Sequence, residues 1–155
     1  MSPLSALPTH FFFYGTLVAG HTNRVAKEIH AALEPVGPTR VTGALHAIPD
    51  PAGWFPALVA GDGEVTGMLY RAGAGFDAAM LARMDAYEDF DPADHVGSLY
   101  RRCTIHAVQV QGACTADAYV WNRPLPPGAL PIASGSFAQW LAETGNPVFR
   151  ATRGA

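Results

Sequence analysis

The apolar run Phe11-Phe12-Phe13, which breaks directly into Tyr14-Gly15-Thr16-Leu17, constrains the fold of this chain more than any other segment. A short aromatic run that ends at a glycine is typical of a buried strand followed by a turn. Glycine is the usual residue where the backbone bends sharply or approaches a ligand closely. The sequence therefore predicts a buried strand within residues 11–18 and a turn at Gly15, although most glycine turns at strand ends have no binding role.

The rest of the chain alternates strand-like runs with helical patterns. Apolar residues recur at helical spacing over 22–33 and 77–88, and Asp77 is a suitable cap for the second helix. Ser136 begins a capping box for a third, peripheral helix, which Gly145 ends, and a frayed tail is expected from 147. The predicted strands cover 11–18, 39–48, 55–60 and 64–71, the last two joined by a turn at Gly61-Asp62-Gly63, and a hairpin covers 101–121. These elements predict a small mixed α/β domain.

Length and charge limit the kinds of partner. A chain of 155 residues with 49% hydrophobic content predicts one globular domain over residues 1–155. Only 15% of the residues are charged, the net charge is −3, and no basic stripe occurs, so neither a nucleic acid nor a membrane surface is expected as a partner. A small neutral or zwitterionic ligand fits better. No signal peptide or membrane span is recognised near the N-terminus, which favours a cytoplasmic location.

Cysteines and histidines give no metal or disulfide pattern. A hairpin that turns at Gln111-Gly112 places Cys114 opposite Gln109 and Cys103 opposite Val120, too far apart for a disulfide. The six histidines lack the spacing of zinc ligands, so no metal is expected. The glycines at 73 and 75 lack the third glycine of a dinucleotide loop, and no cofactor is expected.

Glu88 is the most informative acidic residue. On a helical wheel it falls between Met84 and Leu81, on the apolar side of the second helix. A carboxylate in that position is disfavoured by desolvation and by the helix dipole, which would make it a base poised nearer neutrality. The alternative is a helix that ends one or two residues earlier and leaves Glu88 on a solvated loop beside Asp89 and Asp91.

An ordered set of motifs over roughly residues 10–122 resembles the gamma-glutamylcyclotransferase-like family, which includes AIG2-like proteins and gamma-glutamylamine cyclotransferase. The turn after Phe13, followed by Gly20 and Asn23, is similar to the tyrosine-glycine-threonine-leucine loop of that family. The other pieces, in the family's order, are Phe55-Pro56-Ala57-Leu58-Val59, Val65-Thr66-Gly67-Met68-Leu69-Tyr70, Asp85-Ala86-Tyr87-Glu88 and Tyr100-Arg101-Arg102.

The resemblance implies a compact, partly closed sheet or barrel with two or three helices and a gamma-glutamyl substrate. It implies that Glu88 is the catalytic general acid/base and that Tyr14, Gly15, Thr16 and Leu17 bind the glutamyl portion. The substrate's own α-amine would attack its γ-carbonyl to form 5-oxoproline, without a metal or an enzyme nucleophile. Tyr119 is a further candidate for the wall of the pocket.

Several positions depart from the family pattern. Val18 and Ala19 stand where the gamma-glutamylamine branch usually has basic residues, and Asp89 replaces a glycine that commonly follows the glutamate. The segment 91–99 is longer than usual. The alternative hypothesis is therefore a catalytically inactive small-ligand-binding or interaction module of the same fold, which Asp89 favours because a second carboxylate would disturb the pocket.

Overall fold

A computed structural model describes residues 7–15, 24–109 and 112–148. Within these residues three helices surround one sheet of six strands. The strands are β1 (His10–Phe13), β2 (Leu33–Asp50), β3 (Gly53–Ala72), β4 (Tyr100–Gln109), β5 (Gly112–Trp121) and β6 (Leu130–Pro131). The helices are α1 (Arg24–Ala31), α2 (Ala78–Tyr87) and α3 (Phe137–Thr144). In the described residues no helix is long and apolar enough to cross a membrane.

The sheet is mixed and curls into a half-barrel, as the resemblance implies. Its strand order is β4-β5-β1-β3-β2-β6, with β1 parallel to β5 and every other neighbouring pair antiparallel. The sheet therefore places the shortest of its interior strands, the aromatic run, next to both long hairpins.

The side chains of β1 divide the core in two. Phe11 and Phe13 lie in one cluster with α1 and α2, whereas Phe12 and Tyr14 lie in a second cluster with α3. All three phenylalanines are fully buried, because alternate residues of a strand point to opposite faces and both faces are covered. The predicted strand over 11–18 ends at Phe13 in the described residues, and residues 16–18 lie outside them.

The β2–β3 hairpin corrects one prediction. The segments 55–60 and 64–71 are not two strands joined by a turn; both belong to the 20-residue strand β3, and the turn lies at 51–52. Thr42 pairs with Glu64 and Ala44 with Val59, so residues 60–63 bulge opposite a single residue, Gly43. A Cβ on Gly61 would lie 2.6 Å from that of Ala44, which explains the glycine. Glycines are typical of both bulges and turns, so the local sequence does not distinguish the two.

The β4–β5 hairpin is confirmed, but its predicted register was wrong. The ladder closes at the pair Gln109–Gly112, one residue earlier than predicted, so Cys103 faces Ala118 and Cys114 faces Ala107. Moving a turn by one residue moves the partner of every strand residue by two. Both cysteines are free thiols in this register.

Local signals define the helix ends as the sequence predicts. The Asp77 carboxylate accepts a hydrogen bond from the N–H of Met80 at 2.8 Å, and Ser136 caps α3 through the N–H of Gln139 at 3.1 Å. Gly145 ends α3 with a φ of 69°. The expected frayed tail starts too early, because Trp54 donates a hydrogen bond to the carbonyl of Pro147 at 2.8 Å and pairs with Val148.

Candidate active site at the ends of β1 and α2

The chain leaves β1 at Tyr14, whose side chain is only 3% exposed. Its hydroxyl donates a hydrogen bond to the carbonyl oxygen of Tyr119 in β5 and accepts one from the N–H of Leu58 in β3 at 3.3 Å. Tyr14 thus ties together the two strands that flank β1 at the place where β1 ends. The hydroxyl is thus engaged in hydrogen bonds within the scaffold.

Gly15 follows in a half-buried bend. The other two predicted substrate-binding residues, Thr16 and Leu17, lie outside the described residues. Tyr14 and Gly15 are therefore the described part of the predicted substrate-binding segment.

Glu88 lies immediately after the last residue of α2 and is 0% exposed. Its backbone N–H still donates to the carbonyls of Met84 and Asp85, both at 3.1 Å. The helical hydrogen bonding thus extends to Glu88 and turns its side chain inward. The alternative of a solvated loop position is wrong for Glu88, although it is right for the next residue.

Asp89 adopts a left-handed conformation with a φ of 55° and has an exposed side chain. This conformation is the one that glycine adopts most readily, and Asp is among the few other residues that tolerate it. The left-handed residue turns the chain so that the carboxylates of Glu88 and Asp89 have opposite surroundings. Asp89 does not bring a second carboxylate into the buried region.

Burial and negative charge act on two phenols near Glu88. Burial first, and then the charge of Glu88, raises the pKa of Tyr14, against an opposing contribution from the Leu58 N–H. Burial also raises the pKa of Tyr119, and the charges of Asp85 and Glu88 add to it while Arg102 opposes it. Both phenols therefore stay protonated hydrogen-bond donors at neutral pH.

Near the end of α2, four side chains form a hydrogen-bonded network that we call the Arg102 cluster. Its members are Arg102, Asp85, Asp117 and Tyr119. Arg102 Nε donates to Asp85 Oδ1 at 2.9 Å, and its Nη1 donates to Asp117 at 2.7 Å. The Tyr119 hydroxyl donates to Asp85 Oδ1 at 2.7 Å. Burial would lower the pKa of Arg102, but hydrogen bonds to Asp85 and Asp117 and the charge of Asp85 raise it overall, so the guanidinium stays charged.

Sequence reasoning missed this cluster. It named Asp85 and Arg102 only as parts of family motifs, without a role of their own, and it considered Tyr119 only as a candidate for the wall of the pocket. The available signal was the spacing of Asp85 and Glu88, three residues apart and thus on one side of a helix. On the wheel that identified Glu88, however, Asp85 falls beyond Leu81 at the edge of the apolar stripe, so periodicity alone does not place it in the core.

Open clefts lie beside these residues, and the two largest of those described border α2 and Tyr14. A cleft of about 760 Å³ runs along α2 and is lined by Asp85, Asp89, Phe90 and Arg102 among others. A second, of about 420 Å³, borders Tyr14, Gly67 and Phe137. Neither cleft is lined by Glu88 itself. Within the described parts of the chain, no group of three His, Cys, Asp or Glu side chains is arranged to hold a metal ion.

Three solved structures share this fold. YkqA from Bacillus subtilis is 20% identical with a TM-score of 0.62, and the match covers 90% of this chain and 43% of YkqA. The uncharacterized protein PH0828 from Pyrococcus horikoshii is 19% identical with a TM-score of 0.59, covering 88% of this chain and 96% of that one. An AIG2-like protein from Mus musculus is 18% identical with a TM-score of 0.53, covering 93% and 87%. The chain thus spans less than half of YkqA and most of the other two.

No curated protein matches the sequence significantly. A family model does: the one described as gamma-glutamyl cyclotransferase, AIG2-like, matches residues 11–139. That range contains the turn after β1, the end of α2 and all members of the Arg102 cluster. Because the match covers most of the chain, the protein belongs to the gamma-glutamyl cyclotransferase, AIG2-like family.

Proposed function

We propose that the protein is a gamma-glutamyl cyclotransferase-type enzyme that releases 5-oxoproline from a gamma-glutamyl amine or gamma-glutamyl amino acid. The observation that carries the proposal is the fully buried carboxyl of Glu88, which lies near two protonated phenols where β1 ends. Membership of the family supports the reaction class. A carboxylate is seldom buried without a role, because its desolvation costs several kcal/mol.

The proposed reaction is an intramolecular aminolysis. The substrate's α-amino nitrogen attacks its γ-carbonyl carbon, the new C–N bond closes a five-membered ring, and the original amide C–N bond breaks. One proton leaves the attacking nitrogen and one is delivered to the departing amine. The products are 5-oxoproline and a free amine, and water is neither consumed nor released.

Glu88 carries the proton between the two nitrogens in this scheme. Its carboxylate accepts the proton from the attacking amine and returns it to the leaving amine, the usual task of a positioned general acid/base. Both ends of the reaction belong to one substrate, so holding its α-amine against its γ-carbonyl contributes much of the acceleration.

The backbone N–H groups from Gly15 to Leu17 stabilise the negative oxygen of the tetrahedral intermediate in this proposal. A turn that begins at glycine offers N–H groups that a small ligand can approach closely. The engagement of the Tyr14 hydroxyl by Leu58 and Tyr119 supports a backbone role for this turn, because the side chain is already used.

The rival hypothesis of an inactive binding module depended on Asp89. That residue is exposed and left-handed, so its carboxylate does not share the buried surroundings of Glu88. A gamma-glutamyl amine or amino acid is the proposed partner, and no cofactor is part of the scheme. The substrate panel of the test below identifies the leaving amine.

The test is incubation of the purified protein with a panel of gamma-glutamyl amino acids and amines in water enriched in ¹⁸O. The proposal predicts unlabelled 5-oxoproline and free amine in equal amounts. Labelled glutamate would show hydrolysis in place of cyclisation. Absence of any product across the panel would favour the binding module.

The Glu88→Gln variant shows whether the activity belongs to this site. Removing a general acid/base lowers turnover by about 10²- to 10⁴-fold, and the same loss is expected here. Glu143→Gln is the matched control, because it makes the same change at an exposed carboxylate on α3, away from the site. Retained activity in Glu88→Gln would exclude the proposed role of Glu88.

A further inference from the structure

The Arg102 cluster bonds the end of α2, which carries the proposed catalytic carboxyl, to β4 and β5, and it takes no step in the proposed reaction. We propose that this cluster holds the carboxyl of Glu88 at a fixed place relative to the end of β1 at Tyr14 and Gly15, and that it offsets the negative charge of Asp85. Arg102 and Tyr119 are then positioning residues. The inference rests on the proposed function, which supplies the reaction that they would influence.

The cluster fixes the last turn of α2. Asp85 lies three residues before Glu88 and is 3% exposed. It accepts hydrogen bonds from Arg102 of β4 at 2.9 Å and from Tyr119 of β5 at 2.7 Å. Arg102 is itself held by Asp117 of β5, whose other oxygen accepts from the Thr104 hydroxyl at 3.1 Å. The helix end is thereby attached to two strands of the sheet.

Tyr119 connects the two halves of the site. Its hydroxyl is bound to Asp85 on α2, while its backbone carbonyl accepts the hydrogen bond from Tyr14 at the end of β1. A single residue therefore sets the distance between the helix end that carries Glu88 and the strand end that carries Gly15. A displacement of about 1 Å at such a point can cost about 100-fold in rate.

The charges of the cluster also reach Glu88. Tyr14 from β1 and Tyr119 from β5 both sense the charge of Glu88, and Tyr119 also senses the charge of Asp85, which lies on the same helix and pairs with Arg102 from β4. The two phenols are neutral at physiological pH. An uncompensated carboxylate at Asp85 would oppose ionisation of Glu88, and the guanidinium of Arg102 offsets it.

The test compares pH profiles of kcat/KM for 5-oxoproline release. Arg102→Met leaves Asp85 uncompensated, so the acid limb moves to higher pH, whereas Asp85→Asn removes the negative charge and moves the limb to lower pH. Each shift is expected to be roughly half to one pH unit. The substrate's α-amine titrates identically in every assay, so differences between variants come from the enzyme.

Two conservative variants separate position from charge. Tyr119→Phe keeps every charge and removes only the link to Asp85, so kcat falls by about 10- to 100-fold with little change in the pH limb. Arg102→Lys restores the charge but not the two-sided geometry, so the limb returns toward the wild-type position while kcat stays low. Arg101→Met is the control, since its side chain is exposed on the other face of β4.

The outcomes are distinct. Opposite shifts in Asp85→Asn and Arg102→Met support the inference, and so does a lowered kcat in Tyr119→Phe if Arg102→Met does not fold. The inference is overturned if the acid limbs of Asp85→Asn and Arg102→Met do not move, or move in the same direction, and kcat of Tyr119→Phe is normal. The proposed function would still stand in that case. A wild-type protein that releases no 5-oxoproline removes the proposed function and the inference together.

Discussion

The end of α2 and the end of β1 differ in which part of the residue is used by the scaffold: the backbone at Glu88 and the side chain at Tyr14. At the end of α2 the backbone of Glu88 is bonded to the helix, and its side chain turns inward. At the end of β1 the side-chain hydroxyl of Tyr14 is hydrogen-bonded to two strands, so the proposed function assigns substrate binding to backbone N–H groups. Substitution at the first position should therefore change chemistry, and substitution at the second should change stability.

Tyr14→Phe is the largest expected effect on stability. The variant removes a buried hydroxyl and leaves the Leu58 N–H and the Tyr119 carbonyl without that partner. The expected loss is about 1–3 kcal/mol in the free energy of unfolding, measured by urea denaturation. A variant as stable as the wild type would show that the hydroxyl does not tie the strands together.

Alkaline pH should destabilise the fold through the same residue. The pKa of Tyr14 in the folded state is raised above its ordinary value of 10.0, so the unfolded state loses its proton first. Its stabilising contribution is present below pH 10 and is lost as pH rises above it, by at most about 1.4 kcal/mol per pH unit. Urea denaturation between pH 9 and 11 measures the slope.

Tyr14→Phe provides the control for that slope. The variant should lose stability less steeply above pH 10, although Tyr119 still contributes, since its pKa is also raised. Identical slopes for the two proteins would contradict the buried, protonated state assigned to Tyr14.

Local chemistry made one half of this site predictable from the sequence. The inward position of Glu88 follows from the helical period, and the cap residues Asp77 and Ser136 and the stop at Gly145 act on their own immediate backbone. Such signals are contained in a few consecutive residues. They also locate the motifs on which the resemblance to the family rests.

The other half depends on contacts between distant residues. The Tyr14 hydroxyl meets a carbonyl 105 residues away, and the Asp85–Tyr119 bond spans 34 residues. Neither leaves a periodic pattern in the sequence. The turn predicted at Gly61 was wrong for a related reason. Only the pairing of Val59 with Ala44, on the neighbouring strand, distinguishes a bulge from a turn.

Asp89→Gly sharpens the comparison at the helix end. Asp89 occupies a left-handed conformation that glycine adopts without strain, although glycine also gains entropy in the unfolded chain. The net gain in stability is expected to be about 0.5 kcal/mol, whereas Asp89→Val should lose more than about 1 kcal/mol. Equal stability of the two variants would contradict the assigned backbone conformation.

The smallest effect is expected at an ion pair outside both regions. Arg71 bonds Glu34 at 2.9 Å across the β2–β3 hairpin, but both side chains are more than half exposed. Arg71→Met should change the free energy of unfolding by less than about 0.5 kcal/mol, as measured by urea denaturation. A larger loss would mean that surface charge contributes more to this scaffold than the buried ends of β1 and α2 imply.

The most direct test of the division between the two ends is to measure turnover and thermal stability of Glu88→Gln in the same samples. The account predicts that 5-oxoproline release falls by at least about 100-fold. The melting temperature should stay the same or rise, because a neutral amide is less costly to bury than a carboxylate. Full turnover, or a loss of activity that only follows a lowered melting temperature, would contradict the account.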